Sequence, residues 1–196
     1  MLLDKAATTL RRGGVALLPT DTVYGLLASP ESPAALARIF ALKARPAEKN
    51  LPILVADRAQ LSQLGVIIDA RITPLLESPY MPGPLTLVLA LAPAKAPPWL
   101  AGRKEVAVRI PDDAFLQALL LKTGPLLATS ANASGQPPAA TMAEILPQLA
   151  GTPDYVLDDG PRTGSASTLI NCQTTPFTVI RRGALPAKAI AKLGAI

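Results

Sequence analysis

Hydrogen-bonding side chains interrupt apolar runs at several places in this 196-residue chain. Thr20, Asp21 and Thr22 follow "VALLP". Lys43 and Arg45 stand in "KARP", and Arg109 sits inside "VAVRIP". Thr129, Ser130 and Asn132 occur in "ATSANASG", Ser167 and Thr168 in "STLIN", and Arg181 in "RRG". The chain has no histidine, which excludes Ser-His-Asp and Cys-His nucleophile systems as normally built, and zinc sites that use imidazole. Its single cysteine, Cys172, supports neither an internal disulfide framework nor a structural metal. What remains is Lys, Arg, carboxylates, hydroxyls and backbone amides. That set suits electrostatic stabilisation and positioning, the style of phosphoryl and nucleotidyl transfer.

Each piece also has a plainer reading. A Thr after a strand is commonly a turn or cap residue. "KARP" can be the solvated last turn of a helix, where cations favour the dipole. Val106, Val108 and Ile110 share one face of an alternating strand, so Arg109 points to the other, toward solvent or toward a cavity. "TSANASG" suits an Asx/ST-turn loop or an anion-cradling nest of amides. Neither a Walker A sequence nor a G-x-G-x-x-G fingerprint occurs, so a standard P-loop or dinucleotide site is excluded.

The elements that must position these groups are legible in outline. Leu3, Ala6, Ala7 and Leu10 fall at helical spacing ahead of Gly13-Gly14. "VALLP" (15–19) reads as a strand. Ser32 caps a helix with Pro33 at its first position, Leu36, Ile39 and Phe40 form its stripe, and Pro46 ends it. "LPILVA" (51–56) and "LTLVLAL" (85–91) read as buried strands, followed by a Pro-rich surface loop (91–105) and the strand "VAVRIP". Phe115, Leu116, Leu119 and Leu120 predict a helix ending at Gly124, and "PLLATSA" (125–131) a strand running into a loop. Thr141 and Glu144 make a capping box. "DYVLDD", "STLIN" and "FTVIRR" are late strands, and "PAKAIAKL" is a closing helix. Strands and helices mix without strict alternation, which predicts an α/β fold with one mixed sheet of parallel and antiparallel pairs.

Apolar residues make up 49% and charged residues 17%, enough for one domain over 1–196 with a sizeable core. The apolar runs are too short and too often broken by Pro to span a bilayer. No basic-then-apolar leader opens the chain, which points to the cytoplasm. The net charge of +5 leans toward an anionic partner, a nucleotide or a nucleic acid.

Taken together, "PTDTVYGL", "KARP", "MPGPLTLVL", "VAVRIP", "ATSANASG", "STLIN" and "RRG" occur in the order and spacing of one family. The chain resembles the YrdC/TsaC family, the L-threonylcarbamoyladenylate synthases of tRNA modification, over roughly residues 4 to 185. The resemblance implies a twisted α/β sheet with flanking helices around a large basic concave cavity. It implies a nucleotidyltransferase that joins L-threonine, bicarbonate and ATP into threonylcarbamoyl-AMP and pyrophosphate. Mg2+ would be held mainly by the ATP phosphates, with no metal site on the protein. A partner threonylcarbamoyl transferase complex would then modify tRNA.

Residue by residue, the resemblance gives Lys43, Arg45, Ser130 and Asn132 the reacting centre. It adds Ala131 and Arg181 to the ATP contacts, and gives L-threonine to Thr20, Arg109, Thr129 and Ser167. The chain departs from the family pattern at Met81, where Trp is frequent, and at Asn171, where Asp is usual. A His common in the family is missing from 51–56. The chain ends soon after "RRG", as in the short form of the family. A non-catalytic YrdC-like module binding tRNA or double-stranded RNA is the alternative reading.

Overall fold

The computed structural model describes residues 1–44 and 50–194. Arg45 therefore lies outside the described residues. In chain order the elements are α1 (Leu2–Arg11), β1 (Ala16–Leu18), β2 (Gly25–Ala28), α2 (Pro33–Leu42), β3 (Ile53–Leu54), α3 (Arg58–Gln63), α4 (Thr73–Leu76) and β4 (Leu85–Ala90). There follow β5 (Glu105–Arg109), α5 (Ala114–Thr123), β6 (Leu126–Ser130), α6 (Met142–Ile145), β7 (Tyr155–Val156), β8 (Thr168–Asn171), β9 (Thr178–Arg181) and α7 (Ala187–Lys192).

The strands form one sheet in the order β7-β1-β2-β6-β3-β5-β4-β8-β9. Pairs β1–β7, β3–β5 and β4–β8 are parallel and the others antiparallel, so the sheet is mixed as the element pattern predicts. "LPILVA" contributes only Ile53 and Leu54 to the ladder, although Leu51, Val55 and Ala56 beside them are buried too. Gly25–Ala28 is a strand that the sequence pattern leaves unmarked. It turns back on β1, pairing Leu18 with Gly25, and the polar stretch from Thr20 to Tyr24 is the connection between them. The short helices α3 and α4 also carry too few turns to show periodicity. Asp57 caps α3 by accepting from the Gln60 amide at 2.9 Å.

The sheet buries both faces against separate cores. Leu17, Leu26, Ile53, Val108, Leu87 and Ile170 point into the larger core, shared with Ile39 of α2, Leu75 of α4 and Ile190 of α7. Ala16, Leu18, Leu27, Leu54 and Leu126 point to the other face, under Ala6, Ala7 and Leu10 of α1 and Leu116, Leu119 and Leu120 of α5. Each fully buried leucine contributes about 1.5–3 kcal/mol over an exposed one, so both faces are strongly specified. Register then decides the site. Arg109 pairs with Leu54, and Ala128 with Leu27, which places both on the face of the smaller core. That face also holds a cavity, lined by Gly25, Leu54, Thr86, Arg109, Ala128 and Ser130 among others. Among the described residues no helix is long and apolar enough to cross a membrane.

Candidate active site

The connection from β1 to β2 is built around the Thr20 hydroxyl. Thr20 Oγ1 accepts from the amides of Thr22 (3.0 Å) and Val23 (3.1 Å) and donates to the Val23 carbonyl (2.6 Å). Its 3.0 Å contact to Thr22 Oγ1 completes the cluster. Thr20, which the resemblance gives to L-threonine, lines the cavity, but its hydroxyl is consumed by the turn.

Arg109 lies at the end of β5 and is buried. Its Nε donates to the Gly83 carbonyl (2.9 Å), Nη1 to Thr22 Oγ1 (2.8 Å) and Nη2 to Asp21 Oδ1 (2.7 Å). Burial pulls the guanidinium below its usual range, Asp21 pushes it back up, and Arg181 lowers it again. The solvent alternative for Arg109 is thereby closed. A guanidinium has one N–H on Nε and two on each terminal nitrogen. Three acceptors on three different nitrogens leave one N–H on Nη1 and one on Nη2 without a partner among the described residues. Those two N–H groups are left for an acceptor from outside the chain.

On the far wall Ser167 Oγ lies 2.7 Å from Thr86 Oγ1. Arg181 donates through Nε and Nη2 to the Ser167 carbonyl (3.2 and 2.9 Å) and through Nη2 to Ser167 Oγ (3.2 Å). Thr168 Oγ1 accepts from the amides of Gly183 and Leu185. A Cβ on Gly183 would strike the carbonyls of Ala166 and Ser167, so the glycine of "RRG" lets the chain pack directly against the Ser167 segment. Arg181, which the resemblance assigns to ATP, lines the same cavity as Arg109 and Ser167.

Ser130 ends β6 on the cavity wall, and the Ala131 amide donates to the Tyr24 carbonyl at 2.8 Å. Thr129 also borders the cavity, but it pairs with Leu26, whose side chain is in the larger core. Strand parity therefore turns its Cβ away from Ser130's face. Asn132 is buried, its amide nitrogen donating to the carbonyls of Ala133 (2.9 Å) and Gln136 (2.6 Å). Its Oδ1 is buried and has no donor among the described residues.

Lys43 corrects the plain reading of "KARP". It caps the end of α2 but is 2% exposed, not a solvated helix end. Its ammonium donates to the carbonyls of Ser130 and Asn132, the latter at 2.5 Å. It thus holds the loop that carries Ser130, Ala131 and Asn132.

A segment after β7 closes another side. The Tyr24 hydroxyl donates to the Gly160 carbonyl (2.7 Å) and accepts from the Asp159 amide (3.0 Å). Gly164 lies against the Thr22 carbonyl where no Cβ would fit. The cavity measures about 130 Å³, below the roughly 300–1,000 Å³ of sites for drug-sized ligands, and so suits a ligand of amino-acid size. The sequence marks Asp21 and Thr22 only as part of the polar stretch, without a role in the site, and does not mark Thr86 at all. Alternation within "LTLVLAL" could have flagged Thr86, but its partner Ser167 is 81 residues away. Among the described residues, no group of three His, Cys, Asp or Glu side chains is gathered to hold a metal ion.

Similar proteins share this arrangement's frame. A family model for Sua5, YciO and YrdC, described as telomere recombination, matches residues 8–183. A threonylcarbamoyl-AMP synthase of Stenotrophomonas maltophilia is 40% identical over 163 residues, covering 81% of this chain and 86% of that protein. One from Bacillus subtilis is 34% identical over 191 residues, covering 96% of this chain and 55% of the relative. The structure of Pyrococcus abyssi Sua5 complexed with L-threonine superposes with a TM-score of 0.86 at 34% identity, covering 97% of this chain and 56% of that one. The chain thus spans most of the first relative and little more than half of the other two. With the motifs in order, the sheet as expected and the match running nearly end to end, the chain belongs to the Sua5/YciO/YrdC family.

Proposed function

We propose that this protein is an L-threonylcarbamoyl-AMP synthase, a nucleotidyltransferase acting on L-threonine, bicarbonate and ATP. The observation that carries the reading is the buried Arg109, with two N–H groups to spare in a cavity of about 130 Å³. In a family whose members include threonylcarbamoyl-AMP synthases and a threonine-bound Sua5, that fork takes the amino acid's carboxylate. Ser167 and Arg181 form the opposite wall, Thr20 contributes shape, and Thr129 acts through its backbone.

Held by its carboxylate, threonine presents its amine, which captures bicarbonate as a carbamate with loss of water. A carbamate oxygen then attacks the α-phosphorus of ATP, forming the new P–O bond as pyrophosphate leaves. The loop of Ser130, Ala131 and Asn132, held from behind by Lys43, faces the reacting phosphate. The resemblance also gives Arg45, which lies outside the described residues, to the ATP phosphates. Mg2+, when bound, would be held mainly by the ATP phosphates and would neutralise their charge. The product passes to a transferase complex that modifies tRNA in the cytoplasm, and residues 1–196 form one domain. RNA binding alone would not call for a pocket of amino-acid size.

Pyrophosphate release measured with each substrate omitted in turn is the test. Release that requires ATP, L-threonine and bicarbonate together is expected. Turnover of ATP at the same rate without threonine refutes the assignment.

A further inference from the structure

We propose that Asp21 is a positioning residue that aims the carboxylate clamp. The inference rests on the functional reading above and adds a residue to it. Asp21 belongs to an open turn, yet its side chain is only 12% exposed and is folded inward onto Arg109, itself 8% exposed. The other two groups that hold the guanidinium, the Gly83 carbonyl and the Thr22 hydroxyl, are neutral. Arg181 repels it from across the cavity.

The three partners divide the work. Gly83 at Nε and Thr22 at Nη1 fix two corners of a planar group, and Asp21 at Nη2 fixes the third. With all three in place the planar guanidinium cannot turn about the Cγ–Cδ and Cδ–Nε bonds or swing along the cavity. The unspent N–H groups on Nη1 and Nη2 are then set before a ligand arrives. A clamp so preorganised avoids ordering a long side chain at the moment of binding. Removing Asp21 leaves the fork held by neutral acceptors alone and pushed by Arg181, so it loses its aim.

A buried counter-ion that served only the fold would look similar in a static structure. The two roles separate when the ligand's own carboxylate is removed. L-Threoninol keeps the amine, the hydroxyl and the methyl group but has an alcohol where threonine has a carboxylate. A positioning effect that works through Arg109 has nothing to act on in that ligand.

Isothermal titration of wild type, Asp21→Ala and Asp21→Asn against L-threonine, L-threoninol and ATP is the experiment, with threoninol carried into the millimolar range and folding checked by circular dichroism. Asp21→Ala is expected to weaken L-threonine about tenfold or more, the loss of roughly one charge-assisted hydrogen bond. Asp21→Asn keeps an acceptor for Nη2 and is expected to lose about threefold. Both variants should hold threoninol and ATP within about twofold of wild type. Equal losses for threonine and threoninol would show a structural role and overturn the inference. Unchanged or tighter threonine binding in Asp21→Ala would overturn it too, by making Asp21 a competitor for the clamp. If Asp21→Ala does not fold, the threonine-to-threoninol comparison in Asp21→Asn decides alone. Failure of the wild type itself to bind threonine would sink the functional reading instead.

Discussion

Replacing Lys43 by methionine tests whether the loop of the reacting centre is held from behind. Methionine keeps the length and apolar stem of the side chain but removes the ammonium. In the wild type that ammonium satisfies the Ser130 and Asn132 carbonyls inside the protein. Each hydrogen bond to a charged group contributes about 1.5–3 kcal/mol, and each carbonyl left buried without a donor costs a comparable amount. Against this, the substitution no longer has to desolvate a charge, which returns part of the loss. The net expectation is a destabilisation of about 2–4 kcal/mol. For a chain of this size each kcal/mol lowers Tm by about 2–4 °C, so Tm should fall by roughly 4–16 °C. Turnover should fall at least tenfold at temperatures where the variant is still folded, because the Ser130–Asn132 loop is no longer pinned. Differential scanning calorimetry gives the first quantity and steady-state pyrophosphate release the second. A Tm within about 2 °C of wild type would refute the reasoning, because it would mean that the carbonyls find other donors at no cost.

Other expectations follow from the same geometry. Arg109→Lys keeps a charge for Asp21 but offers no planar fork, so L-threonine should bind about 10- to 100-fold more weakly while ATP affinity moves less than about threefold; parallel losses measured by calorimetry would place Arg109 outside the amino-acid site. Gly183→Ala forces a Cβ against the Ala166 and Ser167 carbonyls, and should weaken threonine binding about tenfold through displacement of Ser167 and Arg181. An unchanged threonine Kd would show that the wall does not touch the ligand. The Cys172 thiol is buried and pushed up to about 12 by desolvation, so it should stay protonated and resist a disulfide reagent at pH 8 in native protein, reacting quickly only in denaturant. Rapid labelling of the native state would contradict that burial.

The sequence by itself determined those features whose cause is local. Ser32 caps α2 by accepting from the Ala35 amide, and Glu144 accepts from the Ala140 and Thr141 amides, as the residue types foretell. The parity of "VAVRIP" put Arg109 opposite Val108, and the order of the motifs was enough to name a family. What only the tertiary structure decided is what stands on the other side of each polar group. Parity says that Arg109 leaves the face of the larger core, but not whether helices cover the face it enters. Asp21 and Arg109 are 88 residues apart, Lys43 and the Ser130 carbonyl 87. No local pattern encodes either pairing. Both follow from β1 turning back on β2 and from β2 pairing with β6, while β3 links β6 to β5. The free energy that sets that strand order is the burial of two apolar faces at once, a sum over the whole sheet in which the polar residues of the site are passengers.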